Sequence, residues 1–294
     1  MNAPKYLCDL HLHTTASDGG YRPVEIVRLA VSLGLEAIAI TDHDSTASNI
    51  AGVKAGEKFG LRVIPGVELT TVEGYHILGY FIQPVESELY EYLSSLKKQS
   101  WAFMCKILER LRGRGLKVTE QELAWRTGEG IANMSHLLDI MYVKGILPEP
   151  DFDSPAAVSF FGDPDYLVNF FTEFARKGPF IDAAGAISLI LSAGGVPVWA
   201  HPLQGCSDID RKEVQRLKGE GIVGLEVITP KHGSRARRLL HETCLEFDLI
   251  PTGGSDYHGR FFESIEKGRK LGSCGIEPQL LETLEKRALE LQAG

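Results

Sequence analysis

No stretch of this chain approaches the roughly 18 consecutive apolar residues that a membrane-spanning helix needs, so none is expected. The opening "MNAPKYLCDL" lacks the basic-then-apolar pattern of a secretory leader. Cysteine is scarce and scattered, at positions 8, 105, 206, 244 and 274, and no two have CxxC spacing. An odd, dispersed set argues against a disulfide framework and for a reduced, cytoplasmic protein with buried thiols. No GxGxxG follows strand one, and GxxxxGK[ST] and GxSxG are missing throughout, which removes the common dinucleotide, phosphate-loop and nucleophile-elbow readings. Positive charge is in deficit, with a net charge of −8. That excludes a general nucleic-acid coat and leaves a local anion site open, so no stable nucleic-acid partner is expected. The oligomeric state is not readable from the sequence.

What is present is an alternation of strand and helix signals. "YLCDLHLH" reads as a strand. "RPVEIVRLAVSLG" reads as a helix, with Pro23 in its first turn and Gly34 at its stop. "LEAIAITDH" reads as a second strand, followed by a helix over roughly 46–59 that Gly60 ends. "RVIPGVELTTV" and "YHILGYFI" read as strands three and four. After 185, "VPVWAHP", "GLEVITP" and "LIPTGGSDYH" supply strands five to seven between helical segments. Between them the pattern is helical, led by the long amphipathic "SELYEYLSSLKKQSWAFMCKILERLRGRG". The expected fold is an α/β, distorted seven-stranded (β/α)7 barrel with a helical insertion domain. Residues 1–85 and 186–294 would form the barrel, and 86–185 an insertion acting as a substrate cap.

Metal-ligand residue types recur at the strand ends. Strand one gives His11 and His13, with Asp18 in the following loop. Strand two gives His43 between Asp42 and Asp44, and strand three gives Glu68. Strand four carries His76, strand five ends in His201, and strand seven ends in Asp256 and His258. In barrels of parallel strands, sites gather at the C-terminal ends of the strands, so residues far apart in sequence converge. Alternation along a strand sends both imidazoles of His11-Leu12-His13 to one side. Neutral imidazoles suit Zn, Mn or Fe, and carboxylates bridge such ions. Six histidines and three carboxylates exceed one ion's needs and point to two or three divalent metal ions. A lone strand-end histidine is more often a hydrogen-bonded structural residue; nine such residues over six strands make that reading poor.

The motifs "HLHT", "TDHD", "GVE…YHILGYF", "WAHP" and "GGSDYH" resemble, in order, those of the PHP (polymerase and histidinol phosphatase) phosphoesterases. The resemblance implies a distorted seven-stranded barrel and three metal positions. His11, His13, Glu68 and Asp256 would serve the first; Glu68, His76 and His201 the second; Asp18, His43 and His258 the third. The insertion resembles that of bacterial enzymes removing phosphate from nucleotides, among them nucleoside 3′,5′-bisphosphate phosphatases and 5′→3′ exoribonucleases on short RNA. "ITPKHGS" and "NMSHLL" resemble their substrate-side motifs, which implies catalytic or phosphate-holding roles for His232 and His136. Met134 and Ser135 stand where Arg and Pro are usual. Lys177, Arg126 or Lys231 would then hold the phosphate. The expected activity is hydrolysis of nucleotide phosphate monoesters by metal-activated hydroxide, on a phosphorylated small molecule or short oligonucleotide. The alternatives are a histidinol-phosphate-type phosphatase and a non-catalytic metal- or nucleotide-binding regulator. Residues 97–117 carry seven Lys or Arg and one Glu, which reads either as a substrate collar or as the solvated face of a helix.

Overall fold

A computed structural model of the chain describes residues 6–84, 86–113, 115–148, 180–204, 206–259 and 270–293. Its strands are β1 (Cys8–Leu12), β2 (Ala37–Ile40), β3 (Arg62–Thr70), β4 (His76–Tyr80), β5 (Val196–Ala200), β6 (Gly224–Ile228) and β7 (Ile250–Gly253). They lie side by side in sequence order in one seven-stranded sheet. The neighbours β1–β2–β3 and β5–β6–β7 are parallel, whereas β4 runs antiparallel to both β3 and β5. Curling of the sheet brings its ends together. His13 N–H donates to Tyr257 C=O at 2.9 Å, Leu12 bridges Tyr257, and Cys8 bridges Ile276. The result is a distorted barrel.

Strand β2 is apolar on both faces, as a strand enclosed between layers must be. Ile38 and Ile40 of β2 pack on Ile26, Val27 and Ala30 of helix α1 (Pro23–Leu33), with Ala55 of α2 (Asn49–Phe59) in the same cluster. Ala37 and Ala39 join Leu10, Ile64, Leu78, Tyr80, Val196, Val198 and Ala200 in a core drawn from β1 to β5. Pro23 opens α1, and Gly34 and Gly60 close α1 and α2 with positive φ.

Helices α3 (Glu88–Arg112), α4 (Glu120–Thr127) and α5 (Met134–Val143) build an apolar cluster of their own from Met104, Leu108, Leu123, Met134, Leu137 and Met141. The first turns of α3 insert Leu89 and Leu93 beside α6 (Ala183–Ser192), in the core that also holds β4 and β5 residues. Of the basic residues on α3, Lys97 donates to the Glu129 carbonyl and Arg112 to the Val118 carbonyl, so both tie down the insertion. Helices α7 (Arg211–Gly219), α8 (Ser234–Glu246) and α9 (Pro278–Ala293) complete the outer layer. The five cysteines are free; Cys8, Cys244 and Cys274 are buried, whereas Cys105 is half-buried and Cys206 exposed, against the expectation of burial throughout. Among the described residues no helix is long and apolar enough to cross a membrane.

Candidate metal centre

Glu68 is the hub. It lies in β3, fully buried, and the loop after β2 is bonded to the main chain on both sides of it: Glu68 N–H to Asp42 C=O (3.1 Å) and Asp44 N–H to Glu68 C=O (2.9 Å). Five imidazoles converge on its carboxylate. His76 Nδ1 and His201 Nε2 stand 2.9 and 3.2 Å from Oε1. His11 Nε2, His13 Nε2 and His43 Nδ1 stand 3.1, 3.2 and 3.2 Å from Oε2. Asp256 Oδ1 closes the first group at 3.4 Å from His11 and 3.2 Å from His13. Asp18 stands 3.5 Å from His13 Nδ1, 3.3 Å from His258 Nε2 and 3.9 Å from His43 Nε2.

The donor atoms fall into three overlapping groups: His11, His13, Glu68 and Asp256; His13, Asp18, His43 and His258; and His43, Glu68 and His76. The first coincides with the expected set. The second contains the expected Asp18, His43 and His258 and adds His13. The third pairs Glu68 and His76 with His43, while His201 reaches the same Glu68 oxygen. His76 enters in a way the sequence does not announce. It begins β4 rather than ending it, and the reversed direction of that strand brings its first residue to the rim where the parallel strands end.

The backbone is bent to hold these groups. His201, Asp256 and Asp44 adopt positive φ of 31°, 52° and 49°, which costs on the order of 1 kcal/mol each for residues with a Cβ. Gly254 lies so close to β1 that a Cβ there would come within 2.3 Å of His11. Second-layer contacts set ring orientation. His11 Nδ1 is 3.0 Å from Glu226 Oε1, and the other Glu226 oxygen accepts the His201 N–H at 2.9 Å. His258 Nδ1 faces the Asp256 carbonyl at 2.8 Å, leaving Nε2 toward Asp18. Asp42 and Asp44 flank His43 in sequence, and neither is bonded to it. Asp42 accepts from Thr14 N–H (2.7 Å), Thr14 Oγ1 (2.8 Å), Ser17 Oγ (2.7 Å) and Ser48 Oγ, pinning the loop that carries Asp18. Asp44 accepts from Thr70 N–H at 3.0 Å.

Without an ion, this packing is electrostatically awkward. Burial alone would raise the Glu68 carboxyl, and the facing His43, His11 and His76 hold it well below the usual range. Burial pushes His43 down to about 3, whereas contacts with Asp256, Glu68 and Asp18 outweigh burial at His13 and lift it to about 9. Adjacent rings are thus driven to opposite protonation states. A carboxylate offers about four lone-pair sites, fewer than the five imidazoles around Glu68. Neither ring nitrogen of His13, nor His43 Nδ1, makes a hydrogen bond although all are buried. Imidazole and carboxylate donors gathered in this way fit divalent transition-metal cations.

The substrate-side candidates lie differently. His136 is buried and works as the third residue of a capping box on α5. Asn133 Oδ1 accepts the His136 N–H at 3.2 Å, and His136 Nδ1 accepts the Asn133 N–H at 3.3 Å. His232 is buried with Nδ1 on the Val227 carbonyl (3.1 Å) and Nε2 on the Leu203 N–H (3.4 Å). Arg126 binds Asp139 through Nε and lines a groove of about 1160 Å³ with Thr15, Arg22 and Trp125. Met134 belongs to the apolar cluster of the insertion. Lys177 lies outside the described residues. Lys231, a stand-in for the missing arginine in sequence, has its Nζ 2.8 Å from Asp256 Oδ2.

Residues 9–194 match the family model of the PHP domain. The chain belongs to the PHP family. Curated relatives include a phosphoribosyl 1,2-cyclic phosphate 1,2-diphosphodiesterase of Eggerthella lenta, 28% identical over 86% of this chain and 94% of that protein. A 5′-3′ exoribonuclease of Haemophilus influenzae is 28% identical over 85% of this chain and 89% of its own length. A 3′,5′-nucleoside bisphosphate phosphatase of Chromobacterium violaceum is 26% identical over 90% of each. A solved chain from Bifidobacterium adolescentis, assigned as a metal-dependent phosphoesterase, shares the fold with a TM-score of 0.79 at 24% identity, covering 97% of this chain and 98% of that one. The PHP protein is a metal-dependent phosphoric ester hydrolase.

Proposed function

We propose that His11, His13, Asp18, His43, Glu68, His76, His201, Asp256 and His258 hold two or three divalent ions (Mn, Fe or Zn), with Glu68 shared between positions. The observation that carries this reading is the convergence of five imidazoles on the two oxygens of one buried carboxylate. Ions bound there supply Lewis-acid activation of water and neutralise phosphoryl oxygens. The protein's own part is geometric. Glu226 fixes the His11 ring and the His201 main chain, Asp42 fixes the Asp18 loop, and the enclosing strands keep bulk water from the buried face of the cluster.

The substrate proposed is a phosphate monoester of a nucleotide: a nucleoside 3′,5′-bisphosphate, an AMP-like molecule or the end of a short RNA. Relatives named for a bisphosphate phosphatase, an exoribonuclease and a cyclic-phosphate diphosphodiesterase support a phosphorylated, nucleotide-related ligand. The helices of 86–185 would act as the cap. Ile131 N–H donates to the Ala16 carbonyl at 3.0 Å, so the insertion is docked on the loop that carries Asp18. The groove beside that contact, with Arg126 and Trp125, would receive the nucleoside end. Five free thiols suit a reducing compartment, and the cytoplasm is the location proposed.

A turnover screen in Mn²⁺ tests the reading, using 3′,5′-bisphosphates, mononucleotides, short 5′-phosphorylated RNA, a cyclic phosphate and histidinol phosphate. Hydrolysis concentrated on the nucleotide substrates, and abolished in His11→Ala and Asp256→Ala, is expected. Full activity in both variants would overturn the ligand assignment. Preference for histidinol phosphate would overturn the substrate class.

A further inference from the structure

Lys231 stands in the loop between β6 and α8, with its side chain 13% exposed. Its ammonium is 2.8 Å from Asp256 Oδ2, while Oδ1 of the same carboxylate faces His11 and His13. Asp256 therefore turns one oxygen to the first group of donors and the other to the lysine. Lys231 thus pairs with a donor of the first group while its own side chain stays partly open to solvent. Among the described residues, no other lysine or arginine forms an ion pair with any of the nine proposed ligands.

A phosphate group arriving here would approach a cluster that holds the carboxylates Asp18, Glu68 and Asp256. Its binding calls for positive charge beyond the ions, and two guanidiniums among the described residues, Arg126 and Arg237, already have partners. Arg126 is bound to Asp139, and Arg237 is bound to the carbonyls of His232 and Thr229. An ammonium on a flexible stem suits this task, because it exchanges one oxygen partner for another without the planar match a guanidinium requires. We propose that Lys231 binds a non-bridging oxygen of the substrate's phosphoryl group, acting as the protein's own phosphate-binding cation at the metal centre. This rests on the metal-centre reading above.

The test uses the metal-loaded full chain and its Lys231→Met and Lys231→Arg variants, with inorganic phosphate as the probe. Three quantities are read: phosphate affinity by titration calorimetry, metal content by plasma emission, and kcat and KM on p-nitrophenyl phosphate. Lys231→Met should keep its full metal content yet bind phosphate about 10- to 100-fold more weakly, the loss expected for one charge-assisted hydrogen bond. KM should rise in parallel, and Lys231→Arg, which keeps the charge but not the ammonium's geometry, should recover part of the affinity. Phosphate binding within about twofold of the unaltered protein would overturn the proposal. So would loss of metal from both variants, which would assign the lysine to holding Asp256 alone. Failure of the metal-centre reading is visible separately, because the unaltered protein would then retain no divalent ion.

Discussion

His136 offers a test in which structure and pH fix the size of the effect. Burial, with the Arg126 guanidinium nearby, pushes its imidazole from 6.5 down to about 3. The folded value lies below the unfolded one. The contribution to stability is therefore complete above pH 6.5 and is lost as pH falls toward 3. Each unit of pKa is worth about 1.4 kcal/mol, so between pH 6.5 and pH 5 this one residue should cost the fold about 2 kcal/mol. Glutamine is the usual partner in a capping box. His136→Gln can thus keep the bond to Asn133 N–H while removing the titration. Urea unfolding of the unaltered protein and of His136→Gln, at pH 7.5 and pH 5.0, should give stabilities within about 1 kcal/mol at the higher pH. At pH 5.0 the variant should gain about 2 kcal/mol relative to the unaltered protein. Parallel losses in the two proteins would refute the buried, neutral, capping role of this histidine.

Two further substitutions probe the surroundings. Met134→Arg places a guanidinium in the apolar cluster of the insertion and should lower stability by about 2 kcal/mol without raising phosphate affinity; unchanged stability with an altered substrate ranking would put residue 134 at the substrate. Glu226→Gln weakens the hold on the His11 ring and should raise the Mn²⁺ concentration for half-maximal activity about 10- to 100-fold, whereas an unchanged activation curve would remove Glu226 from the centre.

The parts of this molecule that were legible in sequence are those governed by local periodicity. The apolar runs around "AIAI" and "VPVW" mark strands, and Gly34 and Gly60 mark helix ends. The recurrence of His, Asp and Glu at strand termini marked all nine proposed ligands, which the structure brings together. What sequence left open depends on partners distant in the chain. Nothing in "YHILGYF" states that β4 runs against its neighbours, yet that reversal is what delivers His76. His136 shows the same limit, since its ring could serve a substrate or a helix cap; Nδ1 accepts the Asn133 N–H, whereas the buried Nε2 has no hydrogen bond among the described residues. Asp42 sits beside His43 in sequence but spends its oxygens on Thr14, Ser17 and Ser48. Met134, where the resemblance would have an arginine, lies in the apolar core of the insertion, a placement its local sequence does not state.

The central claim is that Glu68 joins neighbouring metal positions in one buried cluster. Anomalous diffraction from crystals of the Mn²⁺-loaded protein, paired with metal analysis of the same preparation, tests it most directly. The account predicts two or three ions per chain, all within the nine-residue cluster, with the Glu68 carboxylate between two of them. A single ion, or ions held away from Glu68, would contradict it.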